Sequence, residues 1–395
     1  MSLTNVPTAQ RVHIGLFGKR NAGKSSIINA LTNQEVAIVS NRKGTTTDPV
    51  LKTMELNPLG PVIFMDTAGL DDISELGPQR IKKTYQILNK TDIALLVVEA
   101  KEGLTKENLE ILEKIKKKEI PYLIIYNKSD QVATRDLSVF QDGILVSAKY
   151  KGNIESLKEK IASLLPSEGE AKPLAKDLIK EQDFVVLVVP IDKSAPKGRL
   201  ILPQQQTIRD LLDKNVVPII ANEHTLEGIL TALVKPPALV ITDSQIFKKV
   251  AKIVPATLPL TSFSILFARY KGLLEQLVEG AKMLDHLPLN PHILIAEGCT
   301  HHRQCEDIGS VKLPQWLEDY TNREPSYTFT SGAEFPEDLR DFDLIIHCGS
   351  CMLNEREMKY RLHCAKDEHI PMTNYGMAIA YMHGILERAM APLLK

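Results

Sequence analysis

The 395-residue sequence predicts an α/β fold: one domain built on a parallel-type sheet, followed by two smaller α/β domains. Three observations carry this expectation. Apolar, β-branched runs alternate with amphipathic stretches, the pattern of a parallel sheet covered by helices. The segment Pro166-Ser167-Glu168-Gly169-Glu170 is polar and turn-rich, which marks a linker. A second series of strands and helices then begins near Asp183.

The first domain is placed at 1–168. Val12-His13-Ile14-Gly15-Leu16-Phe17 reads as a strand and 24–31 as a helix. Short apolar runs at 62–65, 93–98, 122–126 and 144–146 read as strands, with helices near 78–90, 105–118 and 153–165. The second domain is placed at 175–262. Its run 184–189 reads as a buried strand, 217–221 and 238–242 as further strands, and 208–213, 225–233 and 245–254 as helices. Residues 255–262 read as a loop. The third domain, 263–395, opens with a helix over 263–285. Ile293-Leu294-Ile295-Ala296 and Leu344-Ile345-Ile346-His347 read as its strands.

Composition narrows the function. The chain is 44% hydrophobic and 25% charged, ordinary for a globular protein. A net charge of -1 favours neither nucleic acid nor an anionic membrane as partner. The basic run Lys114-Ile115-Lys116-Lys117-Lys118 falls late in an amphipathic helix and reads as a solvated face. The start, MSLTNVPTAQR, lacks the apolar core of a signal peptide, and no apolar run approaches the roughly 20 residues of a membrane span. Five cysteines, clustered late in the chain, suggest reduced thiols available to metal, and so a cytoplasmic protein.

Gly18-Lys19-Arg20-Asn21-Ala22-Gly23-Lys24-Ser25 lies between a strand and a helix. Gly18 and Gly23 let the backbone curl around phosphates, and the helix N-terminus adds positive potential. Lys24 is expected to reach the β/γ-phosphates and Ser25 to ligate Mg²⁺, with Asn21, Ala22 and Ser26 in the nucleotide-binding set. Asp66-Thr67-Ala68-Gly69 ends another strand: Asp66 would hold the magnesium shell and the Gly69 N–H would sense the γ-phosphate. Asn127-Lys128-Ser129-Asp130 and Ser147-Ala148-Lys149 supply a base pocket. A carboxylate there accepts from the guanine N1–H and 2-amino group, which adenine cannot match. These motifs, in this order and each at a strand end, predict a P-loop GTPase domain that binds GTP.

This segment resembles the translation-factor-related GTPases, the branch that includes Era and MnmE. The resemblance makes Gly44-Thr45-Thr46-Thr47-Asp48 the first switch, with Thr46 as Mg²⁺ ligand and Thr45 as runner-up. Leu70 stands where Ras-like proteins carry a glutamine that orients the attacking water, so intrinsic hydrolysis is expected to be slow. Asn21 occupies the place of a K⁺-binding asparagine, and K⁺ beside the phosphates would stabilise transition-state charge. The alternative is that Asn21 merely suits a tight turn.

The last hundred residues carry a second chemistry. Cys299-Thr300-His301 and His347-Cys348-Gly349-Ser350-Cys351 each follow a strand, the usual place for a site in an open α/β sheet. A Cys-x-x-Cys loop can place both sulfurs on one metal or cluster. Three thiolates, Cys299, Cys348 and Cys351, suit a [4Fe-4S] cluster with one exchangeable position, for which His301, His347 and Glu306 are candidates. A structural Cys₃His zinc site is the rival, and thioredoxin-like redox chemistry at Cys348 and Cys351 a weaker one. Cys305 and Cys364 fit the pattern less well and read as incidental.

Taken together, the GTPase motifs, a middle α/β segment and the Cys-x-His and His-Cys-x-x-Cys pair resemble the [FeFe]-hydrogenase maturation GTPases, the HydF family. That resemblance implies a scaffold that holds a [4Fe-4S] cluster and accepts a diiron precursor made with radical-SAM hydrogenase maturases. It would deliver this unit to apo-[FeFe]-hydrogenase, and 175–262 would mediate a homodimer. Neither nucleic acid nor membrane is an expected partner. Two other readings stay open: a GTPase of the Era/MnmE type acting on RNA or ribosomes, and a zinc-stabilised GTPase.

Overall fold

The computed structural model describes residues 11–32, 50–67, 69, 84, 86–132, 140, 143–165, 173–190, 200–298, 307–332, 334–336 and 338–394. They fall into two compact units, 1–170 and 171–395.

The first unit contains β1 (Val12–Phe17), α1 (Lys24–Thr32), β2 (Val50–Leu56), β3 (Gly60–Asp66), β4 (Ile93–Glu99), α2 (Lys106–Lys117), β5 (Tyr122–Asn127), β6 (Gly143–Leu145) and α3 (Ile154–Ser163). The sheet runs β2-β3-β1-β4-β5-β6, parallel throughout except for β2 against β3. Central strands are apolar on both sides because each face is covered: Ile14, Leu16 and Val97 face one core, Phe17, Leu96 and Val98 the other. In α2 the residues Ile111, Leu112 and Ile115 are buried while Lys114, Lys116 and Lys117 stay exposed, so the basic run is a solvated face. The antiparallel edge strand β2 is absent from the sequence expectation.

The second unit carries two four-stranded sheets, all parallel. The second sheet of the chain comprises β7 (Phe184–Val188), β8 (Val217–Ala221), β9 (Leu239–Thr242) and β10 (Leu260–Ser262), in the order β10-β9-β7-β8. The third sheet comprises β11 (His292–Glu297), β12 (Ser326–Ser331), β13 (Leu344–His347) and β14 (Met372–Asn374), in the order β12-β11-β13-β14. The two sheets share a core: Val186 and Val188 from β7 join Leu294 and Ala296 from β11 and Ile345 from β13. The segments expected as second and third domains, 175–262 and 263–395, both lie within this unit.

The helices of this unit include α4 (Leu202–Leu212), α5 (Leu226–Ala232), α6 (Phe247–Ile253) and α9 (Leu313–Thr321); the helix expected over 263–285 is two helices, α7 (Phe263–Tyr270) and α8 (Leu274–Lys282). Gly272 breaks it at φ 69°, and the Leu273 N–H turns back to the Ala268 carbonyl at 2.9 Å. A left-handed glycine at this position ends a helix without the steric cost a Cβ would add. Along α8, Gly280 lies so close to β14 that a Cβ would sit 2.0 Å from the Met372 carbonyl oxygen. Among the described residues no helix is long and apolar enough to cross a membrane.

Candidate functional site

Both sites sit where strand order reverses. In the first sheet the chain leaves β1 toward β3 on one side and β4 on the other, so connections diverge above the C-terminal end of β1. A crevice opens at such a point. The loop after β1 crosses it in an unusual backbone: Gly18 at φ 143°, Asn21 at 62°, Gly23 at 95°. A Cβ at Gly18 would lie 2.1 Å from the Val97 carbonyl oxygen, and one at Gly23 would lie 2.2 Å from Asn127 Nδ2. Glycine is required at both for steric as well as conformational reasons.

Lys24 Nζ donates to the Gly18 carbonyl at 3.0 Å and the Lys19 carbonyl at 2.9 Å, which holds the ammonium over the mouth of the loop. Ser25 Oγ donates to Asp66 Oδ2. The two groups expected to share a magnesium shell therefore converge, and the donor set fits a hard, oxygen-ligated cation. Burial raises the Asp66 carboxyl above its ordinary value, against the Ser25 hydrogen bond and the charges of Lys24 and Lys52. Gly69 packs against the loop: a Cβ there would lie 2.6 Å from the Arg20 backbone nitrogen.

A cleft of about 570 Å³ lies beside the loop, lined in part by Asn21, Ser26, Lys128, Asp130, Ala148 and Lys149. Asn127 braces it from below, donating from Nδ2 to the Ala22 carbonyl at 2.9 Å and accepting from the Ala148 N–H at 3.1 Å. Ser147 Oγ donates to Asp130 Oδ1 at 2.6 Å, which orients the carboxylate. Lys128 reaches Glu99 Oε2 at 2.6 Å, a contact the motif did not announce. Thr46, with Thr45 and most of both switch segments, lies outside the described residues.

The metal-type residues sit at the corresponding reversal of the third sheet. From β11 the chain goes to β12 on one side and later to β13 on the other, and Ala296 pairs directly with His347. Cys348 and Cys351 are free, half-buried thiols past the end of β13. Cys348 Sγ accepts from the Gly298 N–H at 3.1 Å and from the Ser350 N–H at 3.4 Å. The residue preceding Cys299 is thus bonded to the sulfur of Cys348. Cys299, His301, Cys305 and Glu306 themselves lie outside the described residues. Among the described residues, no three His, Cys, Asp or Glu side chains converge as a metal-holding group.

Burial raises both thiols above their ordinary value. Backbone N–H groups of Gly298 and Ser350 oppose this at Cys348, and the Lys271 charge opposes it at Cys351. Paired backbone donors to one sulfur favour its anionic, ligating form, so the residues present fit a thiolate-bound metal or cluster.

His347 differs from its expected role. Its Nδ1 lies 2.9 Å from the Cys348 carbonyl oxygen and its Nε2 lies 3.0 Å from Arg361 Nη1. With Arg361 obligatorily a donor, Nε2 accepts and Nδ1–H donates. Burial and the Arg361 charge push the ring down to about 3, so it stays neutral. Both nitrogens are engaged, and His347 supports the loop from beneath instead of offering a lone pair to a metal. Cys364 lies on helix α10 (Glu355–Asp367) and packs against the shared core.

Sequence reading missed two buried cations here. Arg361 is fully buried, bound through Nε to Glu357 Oε1 at 3.0 Å and through Nη2 to the Gly332 carbonyl at 2.8 Å. Lys271 is 6% exposed, and burial pushes its ammonium down to about 8 despite the thiols of Cys351 and Cys348 and the carboxylate of Glu355 nearby. The i,i+4 spacing of Glu357 and Arg361 was the only sequence signal for either.

Comparison with known proteins gives three family matches. Residues 13–128 match a 50S ribosome-binding GTPase model, 174–272 a Hydrogen maturase F dimerization domain and 275–392 a Hydrogen maturase F tetramerization domain. The tRNA modification GTPase MnmE of Chromobacterium violaceum is 35% identical over 162 residues, covering 40% of this chain and 36% of that protein. Its counterpart in Mesomycoplasma hyopneumoniae is 39% identical over 167 residues, covering 41% and 36%. The chain spans little more than a third of the length of these curated relatives. Among solved structures, Aquifex aeolicus Era bound to GDP.AlF4- aligns with a TM-score of 0.35 and 21% identity, over 53% of this chain and 92% of that one.

Proposed function

Because the chain belongs to the hydrogen maturase F family and carries a GTPase domain, we propose that it is a GTP-hydrolysing scaffold that holds and hands on a metal cofactor during [FeFe]-hydrogenase maturation. The observation that carries the reading is the bond from the Gly298 N–H to Cys348 Sγ, at the strand reversal of the third sheet. It brings the backbone leading into Cys299 against the Cys348–Cys351 loop.

In this reading Cys299, Cys348 and Cys351 hold a [4Fe-4S] cluster, and His301 and Glu306 are the candidates for the fourth position. Such a cluster supplies one iron whose outer ligand exchanges. The cargo is a diiron precursor bearing CO and cyanide, received from radical-SAM maturases and passed to apo-hydrogenase. The nucleotide site binds GTP with Mg²⁺: Lys24 meets the phosphates, Ser25 and Asp66 hold the metal, Gly69 reports the γ-phosphate, and Asp130 reads guanine. Nucleotide state then acts by favouring one conformation of the switch segments over another, since a ligand shifts an equilibrium only by its differential affinity. K⁺ at Asn21 accelerates hydrolysis.

Homodimerisation through the second sheet is supported by β8, an edge strand whose Val217 and Ile220 are 42% and 46% exposed. An apolar edge, unpaired among the described residues, is a surface for a second copy.

The test is iron, zinc and sulfide analysis with EPR on chain reconstituted without oxygen. About four irons and four sulfides per chain, lost in Cys299→Ser, Cys348→Ser and Cys351→Ser, is the expected result. Zinc near one per chain with no cluster would make the site structural.

A further inference from the structure

Lys271 closes α7, and Gly272 follows in the left-handed region, so the chain turns sharply there. The lysine side chain is 6% exposed, which is rare for this residue without a partner. Its Nζ donates to the Ser350 carbonyl, to Ser350 Oγ at 3.2 Å and to the Leu353 carbonyl at 3.1 Å. An ammonium has three donors, and all three go to one loop. Among the described residues, no carboxylate lies within ion-pair distance of this ammonium.

That loop needs holding. Ser350 sits at φ 51°, a left-handed conformation that costs a non-glycine residue free energy. Leu353, whose carbonyl Lys271 binds, lies against Gly298, where a Cβ would be 2.7 Å from Leu353 Cγ. One ammonium therefore fixes the Cys348–Cys351 loop and, through Leu353, the strand exit that leads to Cys299. Lys271 falls within the dimerization-domain match, whereas the loop falls within the tetramerization-domain match.

We propose that Lys271 is the positioning residue of the metal site: a strut from the end of α7 that sets the shape of the 348–353 loop and keeps a fixed positive charge beside its thiols. The first half stands on hydrogen bonds alone. The second rests on the cluster reading. A buried cation is costly until compensated, and thiolates bound to iron compensate it, so the loaded site gains from Lys271. The same charge favours the reduced, more negative cluster and raises its midpoint potential.

The experiment uses the full chain, unaltered and as Lys271→Met, first without iron. Backbone amide exchange of peptides covering 348–354 is expected to rise about tenfold or more in the variant, because hydrogen bonds from a charged donor are lost. Peptides covering 293–296 and 344–347 keep their protection, and GTP binding is unchanged. Unchanged exchange in 348–354 overturns the proposal whatever the iron content. If Lys271→Met loosens all of 171–395, Lys271→Gln, shorter by one atom and uncharged, decides: a rise confined to the loop supports the strut, and no rise overturns it. Iron and sulfide are then supplied to both chains. A midpoint potential shifted negative in Lys271→Met supports the charge role, and an unshifted potential removes it. Failure of the unaltered chain to take up iron would overturn the cluster reading and the charge role with it, while the exchange result still judges the strut.

Discussion

Arg361 holds His347 by its far nitrogen, with Nη1 3.0 Å from Nε2, while the near nitrogen bonds the Cys348 carbonyl. The chain Glu357–Arg361–His347–Cys348 thus runs from helix α10 to the backbone carbonyl of the loop's first cysteine. Arg361→Met should cost the second unit about 3 kcal/mol, because Glu357 and His347 lose a buried partner together. The readout is thermal unfolding, with a fall on the order of 10 °C in that unit's transition. A shift of only a degree or two would mean the guanidinium is compensated elsewhere.

Asn21 lines the nucleotide cleft at φ 62°. GTP hydrolysis is expected to run about tenfold or more faster in K⁺ than in Na⁺, as electrostatic stabilisation of the transition state would give. Asn21→Ala should abolish the difference while leaving GDP affinity near its starting value. Equal rates in the two salts would remove the potassium assignment.

At the edge strand β8, Ile220→Lys places a charge on the apolar surface where a second copy is expected. The dimer dissociation constant should rise at least about 30-fold, measured by light scattering across a dilution series. An unmoved constant would shift the interface to another face.

Asp177 and Arg269 form a two-bond pair, with Arg269 Nη1 donating at 3.1 Å and Nη2 completing it. Burial would raise the Asp177 carboxyl, but the hydrogen bonds and charge of Arg269 outweigh it and hold the group below its ordinary value. A depressed folded-state pKa stabilises the fold above the unfolded value of about 3.9 and is lost as pH falls through the folded one. Both side chains are partly exposed, so the pair contributes no more than about 1 kcal/mol. Urea unfolding from pH 6 to 3 should show a shallower acid loss in Asp177→Asn than in the unaltered chain.

How legible these sites were depends on what each element had to say locally. β1, β4, β5, β7, β9, β11 and β13 are central strands with continuous apolar runs, and each lies within a residue or two of its expected place. β2, β10, β12 and β14 carried no such run. Ser326–Ser331, for example, is half-exposed at a sheet edge and alternates weakly. The glycines of the phosphate loop, and the motifs at the ends of β3 and β5, announce themselves because backbone geometry demands those residue types. Lys271 and Arg361 do not. A lone cation in a sequence reads as surface, and only the packing of α7 and α10 shows them buried.

The shared core of the second unit has a consequence for how the protein is made. It draws on Val186 and on Ala389, and α8 cannot seat its Gly280 until β14 has been synthesised some ninety residues later. Among the described residues, the core of the first unit draws on nothing beyond Leu165. Synthesis from the N-terminus therefore releases a nucleotide-binding unit able to fold on the ribosome, while the thiol-bearing unit waits for its last helices. Its long-range parallel strands must then close together, which makes it the slower-folding half and the one more exposed to aggregation on the way.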